Sequence, residues 1–210
     1  SLEISLGYQH RGVEKLLAGG PDARSRHLIE TTAGDSSIAA AWNYSRIVEA
    51  LADIPVSKDV QRVRQIALEL ERCANHIGDL GALAGDVAFL PTASFCGRIR
   101  GEYLNMTAEL CGNRFGRNLI VPGGTRFGLE VARAQKVLKW IERVYPELRQ
   151  ALDMLFDSPT VLDRFENTGT VSRKTAADLG LVGMAARACG ISCDTRSTHP
   201  YGWYKKSAPA

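Results

Sequence analysis

Apolar residues recur at three- and four-residue steps over four stretches of the chain, the spacing of one face of an α-helix. The first stretch predicts a helix over roughly Asp22 to Ala52, with Ile38, Ala41, Trp42, Ser45, Val48, Glu49 and Ala52 in step. Ile54-Pro55 ends it, because a residue before proline avoids the helical region. Ser57 reads as the N-cap of a second helix reaching about Leu90. Its face is Val63, Ile66, Leu70, Cys73, Ile77, Leu80, Ala84 and Val87, and Pro91 stops it. Thr92 or Ser94 caps a third helix through Ile99, Tyr103, Met106 and Leu110, which ends at Gly112. Leu119 to Thr125 reads as a short extended piece and a tight turn. A fourth helix runs from about Leu129 to Phe156, interrupted or kinked near Pro146. Beyond Ser158-Pro159 the pattern predicts a brief helix around Arg173–Leu179. A glycine-punctuated loop through Gly180, Gly183 and Gly190 follows, then an irregular tail. The prediction is a mainly α, long-helix bundle with an irregular C-terminal quarter, forming one helical domain over residues 1–210.

Composition narrows the class. At 45% hydrophobic and 23% charged residues this is ordinary globular protein. A net charge of +3 argues for no nucleic-acid partner. The 19 arginines against 7 lysines favour packing against another protein, since the guanidinium pairs well with carboxylates at interfaces. No run of about 18 uncharged apolar residues is present, so membrane contact is expected through partners. Ser1 in place of an initiator methionine, and the trailing Lys205 to Ala210, suggest a fragment or truncated form of a longer subunit. The 5 cysteines are odd in number and scattered, which points to a reducing, cytoplasmic setting. Cys189 and Cys193 form a C-x3-C pair with no second pair to complete a metal site, so no bound metal is expected.

Two polar groupings carry chemistry. His10, Arg11 and Glu14 crowd beside Gly7 and Gly12. If the helix begins by Gly7, His10 and Glu14 share a face, as a proton-handling cluster or a surface ion pair. The second helix carries Glu69, Arg72, His76, Asp79 and Asp86 on a stripe about 100° round from its apolar face. That stripe faces water, or a second neighbour buries it. In the buried case Arg72, His76 and Arg11 are the partners for its acids. A histidine between two acids titrates near neutrality.

Five segments, taken in order, resemble one family. They are His10-Arg11-Gly12-Val13-Glu14-Lys15, the helix segment Glu71 to Gly81 with Arg72, Asn75 and His76, and Gly112-Asn113-Arg114-Phe115 followed by Val121-Pro122-Gly123-Gly124. Asp163 to Gly169, and Arg187 to Arg196 with His199-Pro200-Tyr201, complete the set. The chain resembles the 49-kDa subunit of respiratory complex I and the large subunit of energy-converting [NiFe] hydrogenases, formate hydrogenlyase included. The resemblance implies a helical large subunit beside a small subunit that holds a [4Fe–4S] cluster. In the hydrogenases two C-x-x-C motifs ligate nickel and iron. In complex I both are lost and the equivalent cavity takes the quinone head group.

Several positions depart from those patterns. The first cysteine pair falls here on Ala33 and Ser36, which offer no thiolate for nickel. The tyrosine that complex I sets near that pair is matched by Gly34, and a histidine near the cluster by Gly116. The resemblance carries over Glu14 as a proton-passing glutamate, Asp86 as an aspartate near the quinone site, and Arg11 as an arginine toward the neighbouring cluster. It implies catalytic roles for Glu14, His10 and Asp86, and acceptor- or cluster-side roles for Arg11, Arg72 and His76. The expected function is an electron-transfer subunit of an NADH:quinone oxidoreductase-like or membrane-bound hydrogenase-like complex. It would be peripheral to the inner membrane, bind no cofactor itself and meet quinone in the complex. The alternatives are a non-catalytic scaffold in such a complex and, third, a true hydrogenase large subunit.

Overall fold

The computed structural model describes residues 3–206. The expectations placed on Ser1 and on the end of the tail, 207–210, lie outside the described residues. The chain is mainly helical, as its periodicity predicts. A short α1 (Val13–Leu17) starts at Val13 and not by Gly7, because Gly12 takes φ 65 as its N-cap. The first predicted long helix is two: α2 (Ser25–Ile29) and α3 (Ser37–Leu51). Side chains break it. Thr31 and Thr32 hydroxyls donate back to the Leu28 and Ile29 carbonyls, each at 2.8 Å, and the Ser37 hydroxyl donates to the Glu30 carbonyl at 2.9 Å.

Helix α4 (Lys58–Asp86) begins under the expected cap, with Ser57 Oγ accepting from the Val60 N–H at 3.3 Å. It stops short of Leu90, because Ala88 turns left-handed at φ 59 and the Phe89 N–H donates to the Ala84 carbonyl at 2.8 Å. Pro91 then sits in the first turn of α5 (Leu90–Cys111), where its missing N–H costs nothing. Thr92 is no cap: it is buried, and its hydroxyl donates to the Ala151 carbonyl at 2.8 Å. Gly112 closes α5 at φ 74, as expected. Strands β1 (Ile120–Val121) and β2 (Gly124–Thr125) form an antiparallel hairpin with Ile120 opposite Thr125. Helix α6 (Val131–Phe156) runs on through Pro146.

The C-terminal quarter is more ordered than its pattern suggests. It holds α7 (Pro159–Phe165), α8 (Arg173–Asp178), α9 (Gly183–Ala188), α10 (Thr195–Thr198) and a 3-10 turn over Gly202–Lys205. Helix α8 falls where the pattern predicts a brief helix; the others are too short to show a period, and capping marks two starts: Ser172 Oγ accepts from the Thr175 N–H and Asp194 Oδ1 from the Arg196 N–H.

Helix α4 is central. It packs on α5 along most of its C-terminal half, α5 packs on α6, and α3 lies across α4 and β1. The core joins Ile38, Trp42, Leu70, Ile77, Ile99, Met106, Leu119, Ile120 and Val144. Close α4–α5 approach needs Gly81, where a Cβ would stand 2.8 Å from that of Cys96. The buried arc of α4 differs from the predicted one. Ile66 is exposed, while Arg64, Ala67, Leu68, Glu71 and Ala74 are buried beside Val63, Leu70 and Ile77. Two charges thus enter the interior on the α3 side. Arg64, 1% exposed, pairs with Glu49 at 2.6 Å and donates to the Val121 and Gly124 carbonyls at 2.8 and 3.0 Å. Glu49 in turn accepts from the Gly123 N–H at 2.8 Å, so one ion pair pins the Pro122-Gly123 turn to two helices.

Candidate functional site

The second buried charge, Glu71, makes the site. Its carboxylate accepts from the backbone N–H groups of Ile38 at 2.7 Å and Ala39 at 3.0 Å. These are orphan donors in the first turn of α3, where the helix dipole favours negative charge. Burial nevertheless dominates and raises its pKa from 4.5 to about 7, against those two bonds; Asp35 raises it further and Arg72 lowers it. The folded chain therefore holds a proton on Glu71 that the unfolded chain releases near pH 4.5. Stability from this group is complete below that value and is lost as pH rises through about 7. Wild type is expected to lose about 3 kcal/mol between pH 4.5 and 8 through this group. Urea unfolding across that range should show a flatter dependence in Glu71→Gln, and an identical slope would refute the linkage.

Around Glu71 lies a cavity of about 330 Å3. Asp35, Ser36, Ala39, Trp42 and Asn43 wall it from the start of α3, and Leu68, Glu71, Arg72, Asn75, His76 and Asp79 from the middle of α4. Met184 and Tyr201 close it from the C-terminal quarter. Tyr201 meets Trp42 edge-to-face at 5.2 Å and carries the Arg46 guanidinium 4.5 Å above its ring. Glu69 anchors the segment behind it: it accepts from Arg72 at 3.2 Å, from Arg196 at 3.5 Å and from the Tyr204 hydroxyl. Arg196 also grips Asp194 at 2.6 Å and holds that carboxyl well below the usual range. His76 is pushed down by burial first and by Arg72 second, against Asp79, so its imidazole is neutral at pH 7.

Of the residues singled out from the sequence, Arg72, His76 and Asp79 line this cavity; His10, Arg11, Glu14, Glu69 and Asp86 do not. His10 and Glu14 approach to 3.8 Å with side chains 69% and 85% exposed, and Arg11 donates to the Thr32 carbonyl at 3.0 Å. Asp86 is exposed at the last turn of α4. Sequence reasoning misses Glu71, Asp35, Trp42, Asn75 and Tyr201 as site residues. Glu71 leaves one readable signal: with Arg64 it makes an i, i+7 pair interleaved with Ala67, Leu68, Leu70 and Ala74, a charge on an otherwise apolar face. Ser36, the N-cap of α3, lines the cavity, and Ala33 does not. A methyl at Ala33 and a hydroxyl at Ser36 do not fit a nickel–iron centre. Among the described residues no three His, Cys, Asp or Glu side chains group as metal ligands.

Residues 86–208 match the family described as respiratory-chain NADH dehydrogenase, 49 Kd subunit. The chain belongs to that family. Among curated relatives, an NADH-quinone oxidoreductase subunit from Thermosipho melanesiensis is 30% identical over 201 residues, covering 95% of this chain and 54% of that protein. Membrane-bound hydrogenase subunit alpha from Pyrococcus furiosus is 27% identical over 204 residues, covering 97% of this chain and 48% of that one. A chain from the structure of the membrane-bound sulfane sulfur reductase, an archaeal respiratory membrane complex, superposes with a TM-score of 0.87 at 24% identity. It covers 94% of this chain and 53% of its own, and shows the 49 kDa-subunit fold. The chain spans about half the length of the relatives it matches. Among the described residues no helix is long and apolar enough to cross a membrane.

Proposed function

We propose that this 49 kDa-family chain is an electron-transfer subunit whose α3–α4 cavity receives a quinone or similar acceptor head group. A partner small subunit would supply the electrons from an iron–sulfur cluster, and other subunits would hold the assembly at the membrane. The observation that carries this is the position of the cavity. Its wall includes Ser36, one of the two positions where the resemblance sets the first cysteine pair, and it offers a neutral imidazole, a guanidinium and a phenol to one ligand. Neutral His76 and the Tyr201 hydroxyl suit the carbonyl oxygens of a quinone, and Trp42 suits its ring. Arg72 stabilises the negative charge that the head group gains on reduction. The relatives support the class, since one is an NADH-quinone oxidoreductase subunit and another a membrane-bound hydrogenase subunit.

The alternative of a non-catalytic scaffold is favoured by one observation: His10, Arg11, Glu14 and Asp86 lie on exposed surface outside the cavity. In the acceptor reading these four serve at the contact with the partner subunits, with Arg11 beside the cluster. Binding separates the two. A short-chain quinone should quench the fluorescence of wild type but not that of Trp42→Phe, and His76→Leu should weaken quenching about tenfold, the worth of one lost hydrogen bond. In the assembled complex, Arg72→Ala should lower quinone reduction by at least tenfold. Quenching that is absent in wild type, with turnover unchanged in Arg72→Ala, would leave the scaffold.

A further inference from the structure

Two further spaces adjoin the main cavity. One, of about 10 Å3, is walled by Asp35, Glu71, Asn75, Arg100, Thr107 and Arg114 among others, and is the size one water needs. The other is a groove of about 410 Å3 between α4 and α5, floored by Gly78, Gly81, Ala82, Ala93 and Gly97 and rimmed by Asp79 and Arg100. Asp35 and Asn75 border all three spaces, Arg100 borders the small one and the groove, and Glu71 borders the small one and the main cavity. Asn75 fixes the junction by donating to the Asp35 carbonyl at 3.0 Å. The three spaces therefore share polar lining residues between exposed Gly97 at the groove and the Glu71 carboxyl. Glu71 lines both the small space and the main cavity, and its carboxyl oxygens are fixed by the Ile38 and Ala39 amides of α3.

We propose that Glu71 protonates the reduced acceptor in the main cavity and is reloaded from solvent through the Asp35–Asn75–Arg100 groove. The assignment rests on the acceptor site proposed above. The electrons come from a one-electron donor of the iron–sulfur class on the partner subunit. For each electron accepted, the Glu71 acid O–H breaks and its proton bonds to the acceptor oxygen. The carboxylate left behind is held by the Ile38 and Ala39 amides until water in the groove returns a proton. Two passages supply the two protons that convert a quinone to a quinol. The groups facing Glu71 suit the cycle. Asp35 from the turn before α3 opposes its ionisation, while Arg72 and His76 from α4, Arg100 from α5 and Arg114 beyond α5 surround it. Its pKa of about 7 lets it give and regain a proton at neutral pH.

The test uses the assembled complex, with quinone quenching of Trp42 read alongside turnover. Glu71→Gln should leave the quinone Kd within about twofold and cut turnover about a hundredfold, while Glu71→Asp restores part of it. Gly97→Leu should plug the groove at a position where a Cβ meets nothing within 4 Å. It is expected to slow turnover about tenfold, with unchanged Kd and an increased solvent isotope effect. Infrared spectra of wild type should show a protonated carboxyl band that disappears near pH 7 and is absent from Glu71→Gln. Turnover kept in Glu71→Gln, or no titrating band in wild type, overturns the proton assignment while binding upholds the cavity. Loss of quenching in wild type overturns the cavity itself. Full turnover in Gly97→Leu overturns the groove.

Discussion

Arg64→Ala is expected to destabilise the chain by about 3–5 kcal/mol, because it strands a buried carboxylate. Arg64 is 1% exposed and is both the cation for Glu49 and the donor for the Val121 and Gly124 carbonyls. Removing it leaves Glu49 with the Gly123 N–H and takes the guanidinium donor from the Val121 and Gly124 carbonyls at the heart of the α3–α4 junction. The cost is that of an unpaired buried charge, not the net worth of the ion pair, and this makes a second variant informative. Arg64→Met with Glu49→Leu removes both charges and keeps the volume, so it should recover most of the loss. Urea denaturation of wild type and the two variants measures it. A loss below about 1 kcal/mol in Arg64→Ala would show that the junction holds without the pair.

The same pair marks where the sequence is legible and where it is not. The helical class, the Ser57 cap, the Gly112 stop and the Pro122-Gly123 turn are all readable, because each depends on local backbone chemistry or on a long apolar period. Glu49 falls in step with the apolar face of α3, yet its partner Arg64 is not visible, since pairing across 15 residues leaves no spacing signal. The face of α4 is misplaced for a related reason. Ala67 and Ala74 carry little hydropathy, so the arc they bury is weakly written, and Ile66 draws the prediction toward solvent. The cavity shows the same division. Arg72 and His76 stand out as a polar stripe, whereas Asp35, Trp42 and Tyr201 reach the site from turns and helices far apart in sequence. Tyr201 reaches the site through the Glu69–Arg196–Tyr204 network that docks the C-terminal quarter on α4; the sequence marks it as part of a family segment but no local spacing places it at this cavity.

Gly116→His is expected to cost about 3–5 kcal/mol, combining backbone strain with overpacking. Gly116 adopts φ 69, and a Cβ there would stand 2.5 Å from Cδ1 and Cγ1 of Ile38, itself 1% exposed. Histidine is among the side chains that tolerate positive φ better than most, so Ile38 supplies the greater part of the penalty. That residue has no freedom to withdraw, because the Glu71 carboxylate holds its backbone N–H at 2.7 Å and sets the direction in which its side chain leaves α3. The acid at the cavity and the glycine where the resemblance places a histidine are thus two consequences of one packing arrangement. Ile38→Ala alone should cost about 2–5 kcal/mol as a core cavity. In the Gly116→His background it instead makes room, so the double variant should be more stable than the two losses added, by at least about 1 kcal/mol. Chemical denaturation of the four-member cycle measures the coupling. Strict additivity would place the cost in the Gly116 backbone and free Ile38, and with it Glu71, from any part in excluding the histidine.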